Sequence, residues 1–108
     1  MAKKQMLPET IQILGKPFQI RYIANLKDKT DPEELLYGAT HGREFQIDIN
    51  SSYPIDIQRK TLFHEAMHGA LAVAGLTHLL DDKIEEAIIS CFEHAFADHI
   101  DMNEMGIK

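Results

Sequence analysis

The segment Leu62–Ala74, LFHEAMHGALAVA, constrains this chain more than any other. It is apolar almost all round, apart from His64, Glu65 and His68. A helix of that kind has no solvent face and must be buried by the rest of the chain. It is expected to begin between Pro54 and Ile57 and to end at about Gly75, a residue suited to the position after a helix C-terminus.

The preceding residues supply a layer to bury it. Ile11–Ile23 alternates apolar and polar residues around Gly15-Lys16-Pro17, which predicts a hairpin with one buried face. A polar loop follows, in which Asp31 and Pro32 have the N-cap and first-turn chemistry of a short helical turn before Tyr37. Two short extended segments are then expected about His41-Gly42. In the second, Glu44–Ile49, Phe45, Ile47 and Ile49 alternate with Glu44, Gln46 and Asp48, which reads as a half-exposed strand at a sheet edge. After the central helix, Asp82 and Glu85 have capping-box spacing at the start of a last helix, with Gly106 past its end. Strands followed by helices predict an α+β domain. In it a small, twisted, mostly antiparallel sheet packs on the buried helix, with a second helix C-terminal to it.

His64 and His68 lie four residues apart, one turn along the same helix face. Two imidazoles so placed can converge on one tetrahedral zinc ion, and Glu65 then lies beside the open coordination position. There it can act as general base toward a zinc-bound water, whose pKa zinc lowers to about 7. This is the metallopeptidase use of HExxH. Three polar residues in the most apolar helix of the chain also need partners, and a metal is a natural one.

A catalytic zinc site needs a third protein ligand. The metzincin continuation fails, because Leu71 stands at its glycine position and Ala74 at its third histidine position. A carboxylate from the following helix is the other solution. That helix offers Glu85, Glu86 and Glu93. Glu85 is the third residue of the expected capping box, and Glu93 lies two turns further on. Glu86, 18 residues after His68, is the expected ligand, with Glu85 the runner-up.

The order REFQIDIN, then QRKTLFHEAMHGALAVAGL, then EEAIISCFEHAFADHI resembles the small zincin-like metallopeptidases of phages and prophages. These are distant relatives of the ImmA/IrrE-type metallopeptidases. The resemblance spans about Tyr37 to Ile100. It implies a single minimal gluzincin domain over residues 1–108, binding zinc through His64, His68 and Glu86 with Glu65 as general base. It also implies a peptide or protein substrate, bound by β-addition along Glu44–Ile49, and the cytoplasm of a bacterial host. The E-A-N-x-F-A stretch of the ImmA/IrrE pattern is missing, since IISC follows Glu86-Ala87 here.

Bulk properties narrow the alternatives. The 108 residues suffice for one modest core, and 44% apolar with 26% charged residues is ordinary for a globular protein. No apolar run approaches the roughly 20 residues that span a bilayer, and the N-terminal MAKKQMLPETIQIL has no signal-peptide h-region. The formal charge is −6 and the basic residues are scattered, which disfavours a nucleic-acid partner. Cys91, alone in AIISCFEHAF, is expected to be a buried, inert thiol. Tyr53, His41, His78, His94 and His99 are available as oxyanion donors without motif support, and His94 and His99 are spaced wrongly for a second metal pair. The rival readings are a non-catalytic zinc-binding or interaction module of phage or prophage origin, and a metal-free structural protein.

Overall fold

A computed structural model describes residues 7–96. It contains four strands, β1 (Thr10–Ile13), β2 (Lys16–Ile23), β3 (Gly38–His41) and β4 (Gln46–Asn50), followed by two helices, α1 (Ile55–Val73) and α2 (Asp82–Phe96). The sheet order is β1-β2-β4-β3. β1–β2 and β3–β4 are antiparallel, whereas β2–β4 is parallel. The chain is a small α+β fold with a mixed, open sheet.

The expected hairpin forms, with its turn one residue earlier than the sequence suggested. Leu14 and Gly15 both have positive φ, 50° and 83°, the backbone that two-residue hairpin turns require. Pro17 falls inside β2, opposite Gln12. Its missing N–H is tolerated because β4 pairs with β2 only from Gln19 onward. The expected helical turn at Asp31-Pro32 is instead a β-turn. Glu34 N–H donates to Asp31 O (2.9 Å), closing a small loop bridged at Lys27 and Leu35.

One face of the sheet carries the core. Ile11, Ile13, Phe18, Ile20, Ile47 and Ile49 are buried against Leu62, Phe63 and Ala66 of α1. Gly69 lets α1 lie close over the hairpin, for a Cβ there would sit 3.2 Å from both Ile13 and Phe18. The helix ends as expected. Gly75, at φ 79°, follows it, and Leu76 N–H returns to Leu71 O (2.9 Å) while Gly75 N–H returns to Ala72 O (3.1 Å). α1 is less enclosed than its composition implies, because the sheet covers one side and α2 only part of another.

Two expectations are corrected here. Glu44–Ile49 is not an edge strand: Gly42–Glu44 forms a 3-10 turn, Phe45 is left-handed (φ 52°), and β4 is paired on both sides. Asp48, read as solvent-facing, is buried by polar partners, as is Asn50 at the end of β4. Asp48 holds Arg21 (2.9 Å), His41 (3.0 Å) and Gln46 (3.1 Å), and Asn50 donates to Leu36 O (2.9 Å). The edge strands are β1 and β3.

Cys91 is also exposed rather than buried. α2 turns Glu85 and Ile89 inward, its only buried residues, and Cys91 lies on the other side. The expected continuation of this helix toward Gly106, and His99, fall outside the described residues. Among the described residues, no helix is long and apolar enough to cross a membrane.

Candidate metal centre

Helix α1 presents His64 and His68 one turn apart, their ring centroids separated by 5.1 Å. α2 lies across them. The Nε2 atoms of both rings face the Glu86 carboxylate, His68 at 2.8 Å and His64 at 3.3 Å. One nitrogen of each histidine and one oxygen of Glu86 all lie within 4.8 Å of one another. Ligand atoms on a tetrahedral zinc with bonds of about 2.0–2.1 Å stand roughly 3.3–3.5 Å apart. Small side-chain adjustments bring this set to that spacing, so the donors fit the ion.

The opposite edges of both rings are also held. His64 Nδ1 lies 2.9 Å from Glu93 Oε1, and His68 Nδ1 lies 2.6 Å from Glu85 Oε2. An Nδ1–H donating to a carboxylate fixes the ring orientation and leaves Nε2 as the ligating atom, the usual outer shell of a histidine metal site. The three carboxylates of α2 therefore divide the work. Glu86 faces the shared Nε2 side, while Glu85 and Glu93 each support one ring from behind.

The sequence argument against Glu85 does not hold. Asp81, not Asp82, caps α2, accepting from Ile84 N–H (2.9 Å). Glu85 is therefore no part of a capping box. It is buried because it reaches under His68. Burial lowers the His68 pKa, but the hydrogen bond that its ring donates to Glu85 and the charges of Glu65, Glu86 and Glu85 outweigh it and hold the imidazole above its usual value.

Glu65, also buried, is fixed by a residue that the sequence did not single out. The Thr40 hydroxyl lies 2.6 Å from Glu65 Oε1 and 2.9 Å from Glu65 O. Strand β3 can approach that closely because residue 38 is glycine: a Cβ there would fall 2.7 Å from Thr61 Cγ2 and 3.1 Å from Glu65 Cγ. The only available signal was the short polar segment GATH preceding the motif, which has no spacing rule of its own.

Two hollows flank Glu65. One, of about 470 Å³, is lined by Leu36, Tyr37, Ile57 and Thr61 and ends at His64 and Glu65. The other includes Thr40, His68, Thr77, Glu85 and Glu86. Three of the candidate oxyanion donors have partners of their own. His41 is bound to Asp48, His94 Nδ1 bonds to Ser90 O of its own helix (2.8 Å), and Tyr53 stacks on Tyr37 with centroids 4.6 Å apart. No family model, curated protein or solved structure matches the chain.

Proposed function

We propose that the chain is a zinc-dependent peptidase, with His64, His68 and Glu86 as metal ligands and Glu65 as general base. The observation that carries this reading is the paired support of the two histidines. Both Nε2 atoms point to one carboxylate while both Nδ1 atoms are occupied by others.

Zinc bound there supplies a water of lowered pKa and polarises a carbonyl oxygen. The protein's own part falls to Glu65. Its carboxylate accepts the proton of the attacking water as the oxygen adds to the carbonyl carbon, and returns it to the amine nitrogen as the C–N bond breaks. Thr40 holds the carboxylate in place through one oxygen and leaves the other for that exchange. Glu85 and Glu93 keep the imidazoles oriented. A peptide substrate can add as a strand to the open edge of β3, which carries Thr40 past Glu65. The expected compartment is the cytoplasm of a bacterial host.

The test begins with metal analysis of purified protein by mass spectrometry. About one zinc per chain is expected, and protein that stays metal-free in excess zinc while folded refutes the reading. Glu65→Gln should retain zinc and lose hydrolysis. A second reading, a structural zinc clamp without catalysis, is favoured by one observation: α2 buries only Ile89 among apolar residues and meets α1 largely through the His–Glu contacts. In that case Glu65→Gln leaves biological activity intact, whereas His68→Ala unfolds the α1–α2 pair.

A further inference from the structure

The hollow on the His64 side of Glu65 has a chemical character that its counterpart lacks. Its walls are Leu36 and Tyr37 from the approach to β3, and Ile57, Lys60 and Thr61 from the first half of α1. Tyr37 is exposed and stacked on Tyr53, so the mouth carries a flat aromatic surface. Gly38 contributes no side chain to the floor, and the inner end is closed by His64, Glu65 and Glu93. The hollow on the other side is bordered instead by Thr40, Thr77, Glu85 and Glu86.

Resting on the peptidase reading, we propose that the first hollow is the specificity subsite of the enzyme, and that it takes one large apolar side chain, aromatic or branched aliphatic, of the residue beside the scissile bond. Two observations support this. The hollow opens directly onto Glu65, so a side chain within it belongs to a residue whose peptide bond is at the reacting centre. Its volume, about 470 Å³, lies near the small end of ligand pockets, which run from roughly 300 to 1,000 Å³. That suits one side chain with its adjoining backbone. Burial of apolar surface against Leu36, Tyr37 and Ile57 then favours phenylalanine, leucine, isoleucine or methionine over alanine.

The subsite can be tested apart from the chemistry. In the first arm, metal-free ¹⁵N-labelled protein is titrated with N-acetyl-phenylalaninamide and N-acetyl-alaninamide and followed by amide NMR. The phenylalanine probe should shift Gly38, Thr61 and His64 saturably and bind at least about tenfold more tightly than the alanine probe. Ile57→Trp, which fills the hollow, should abolish these shifts, and Tyr37→Ser should weaken them. Ile57 is half-buried and Tyr37 exposed, so both variants should keep the native far-UV spectrum.

In the second arm, zinc-loaded protein is given a mixed peptide library, and the cleavage sites are read by mass spectrometry. Large apolar residues should be enriched on one side of the cut at least about tenfold over alanine, and Ile57→Trp should remove that enrichment. Probe shifts that survive Ile57→Trp, or a cleavage profile flat on both sides of the cut, overturn the assignment. Saturable probe binding lost in Ile57→Trp, with no library peptide cleaved by zinc-loaded protein, upholds the apolar site while the peptidase reading fails. Cleavage with a flat profile does the reverse.

Discussion

The Thr40 hydroxyl stands 2.6 Å from Glu65 Oε1, joining the edge strand of the sheet to the carboxylate between the two histidines. This contact couples β3 to the proposed general base without touching His64, His68 or Glu86. Thr40→Val keeps the shape of the side chain and removes its donor. It should lower kcat by about ten- to a hundredfold, because a carboxylate free to swing loses its alignment. Zinc affinity should stay unchanged, and Thr40→Ser should recover most of the rate. A Val variant with full activity would show that Glu65 is held by its packing alone.

The three carboxylates of α2 should separate in zinc competition against a chromophoric chelator. Glu86→Ala removes a ligand and should weaken zinc by at least about a hundredfold. Glu85→Gln and Glu93→Gln each disturb the support of one imidazole, and should weaken it by about ten- to a hundredfold. If Glu85→Gln proves the most damaging, then Glu85 is the ligand and Glu86 the accessory group.

Gly38→Ala tests the close approach of β3 to α1. The added methyl meets Asp48 O at 3.0 Å, a backbone atom that cannot rotate away, as well as Thr61 Cγ2 at 2.7 Å. Crowding of this kind should destabilise the fold by about 1–3 kcal/mol, measured by urea unfolding. Since the displacement is passed to Glu65, activity should fall even where the variant remains folded.

Asp48 governs part of the acid response. Burial pushes its pKa up, but hydrogen bonds from Arg21 and His41, with their charges, hold it below the ordinary value of 3.8. The folded carboxyl is thus more acidic than the unfolded one. Its stabilisation is complete above the unfolded carboxyl's range, near about 4, and disappears as pH falls through the folded value. Asp48→Asn should therefore be less stable than the parent at neutral pH, and the gap should close in acid. Unfolding curves taken across that range would show the convergence, and a gap that stays constant would rule out this origin.

Much of the architecture was legible because it rests on periodicity. Alternation at Ile11–Ile23 and the apolar run at Leu62–Ala74 each specify an element and its buried face, and Gly75 marks the end of the central helix. Strand order was not legible in the same way. β4 has the alternation of an edge strand, yet Asp48 and Asn50 are enclosed by Arg21, His41 and the Leu36 carbonyl, partners distant in sequence. The helix cap was misread by one residue because Asp81 and Asp82 are chemically equal candidates. Only the bond to Ile84 N–H distinguishes them. The pairing of His64 with His68 follows from spacing, but the places of Glu85, Glu86, Glu93 and Thr40 depend on how α2 and β3 lie on α1.

The shallow seating of α2 has a consequence for how the molecule comes apart. With Ile89 its only buried apolar side chain, this helix has little hydrophobic reason to remain docked, whereas the sheet and α1 share a continuous core. The chain should therefore open in two steps. α2 lifts away first, at a small fraction of the global unfolding free energy, and the sheet with α1 follows later. Amide exchange should be fast along Asp82–Phe96 and slow in β2, β4 and the middle of α1. A cation joining His64 and His68 to Glu86 would bind only the closed form, and so would slow exchange in α2 far more than elsewhere. The same ion would then set both the chemistry of the site and the time for which its second wall stays in place.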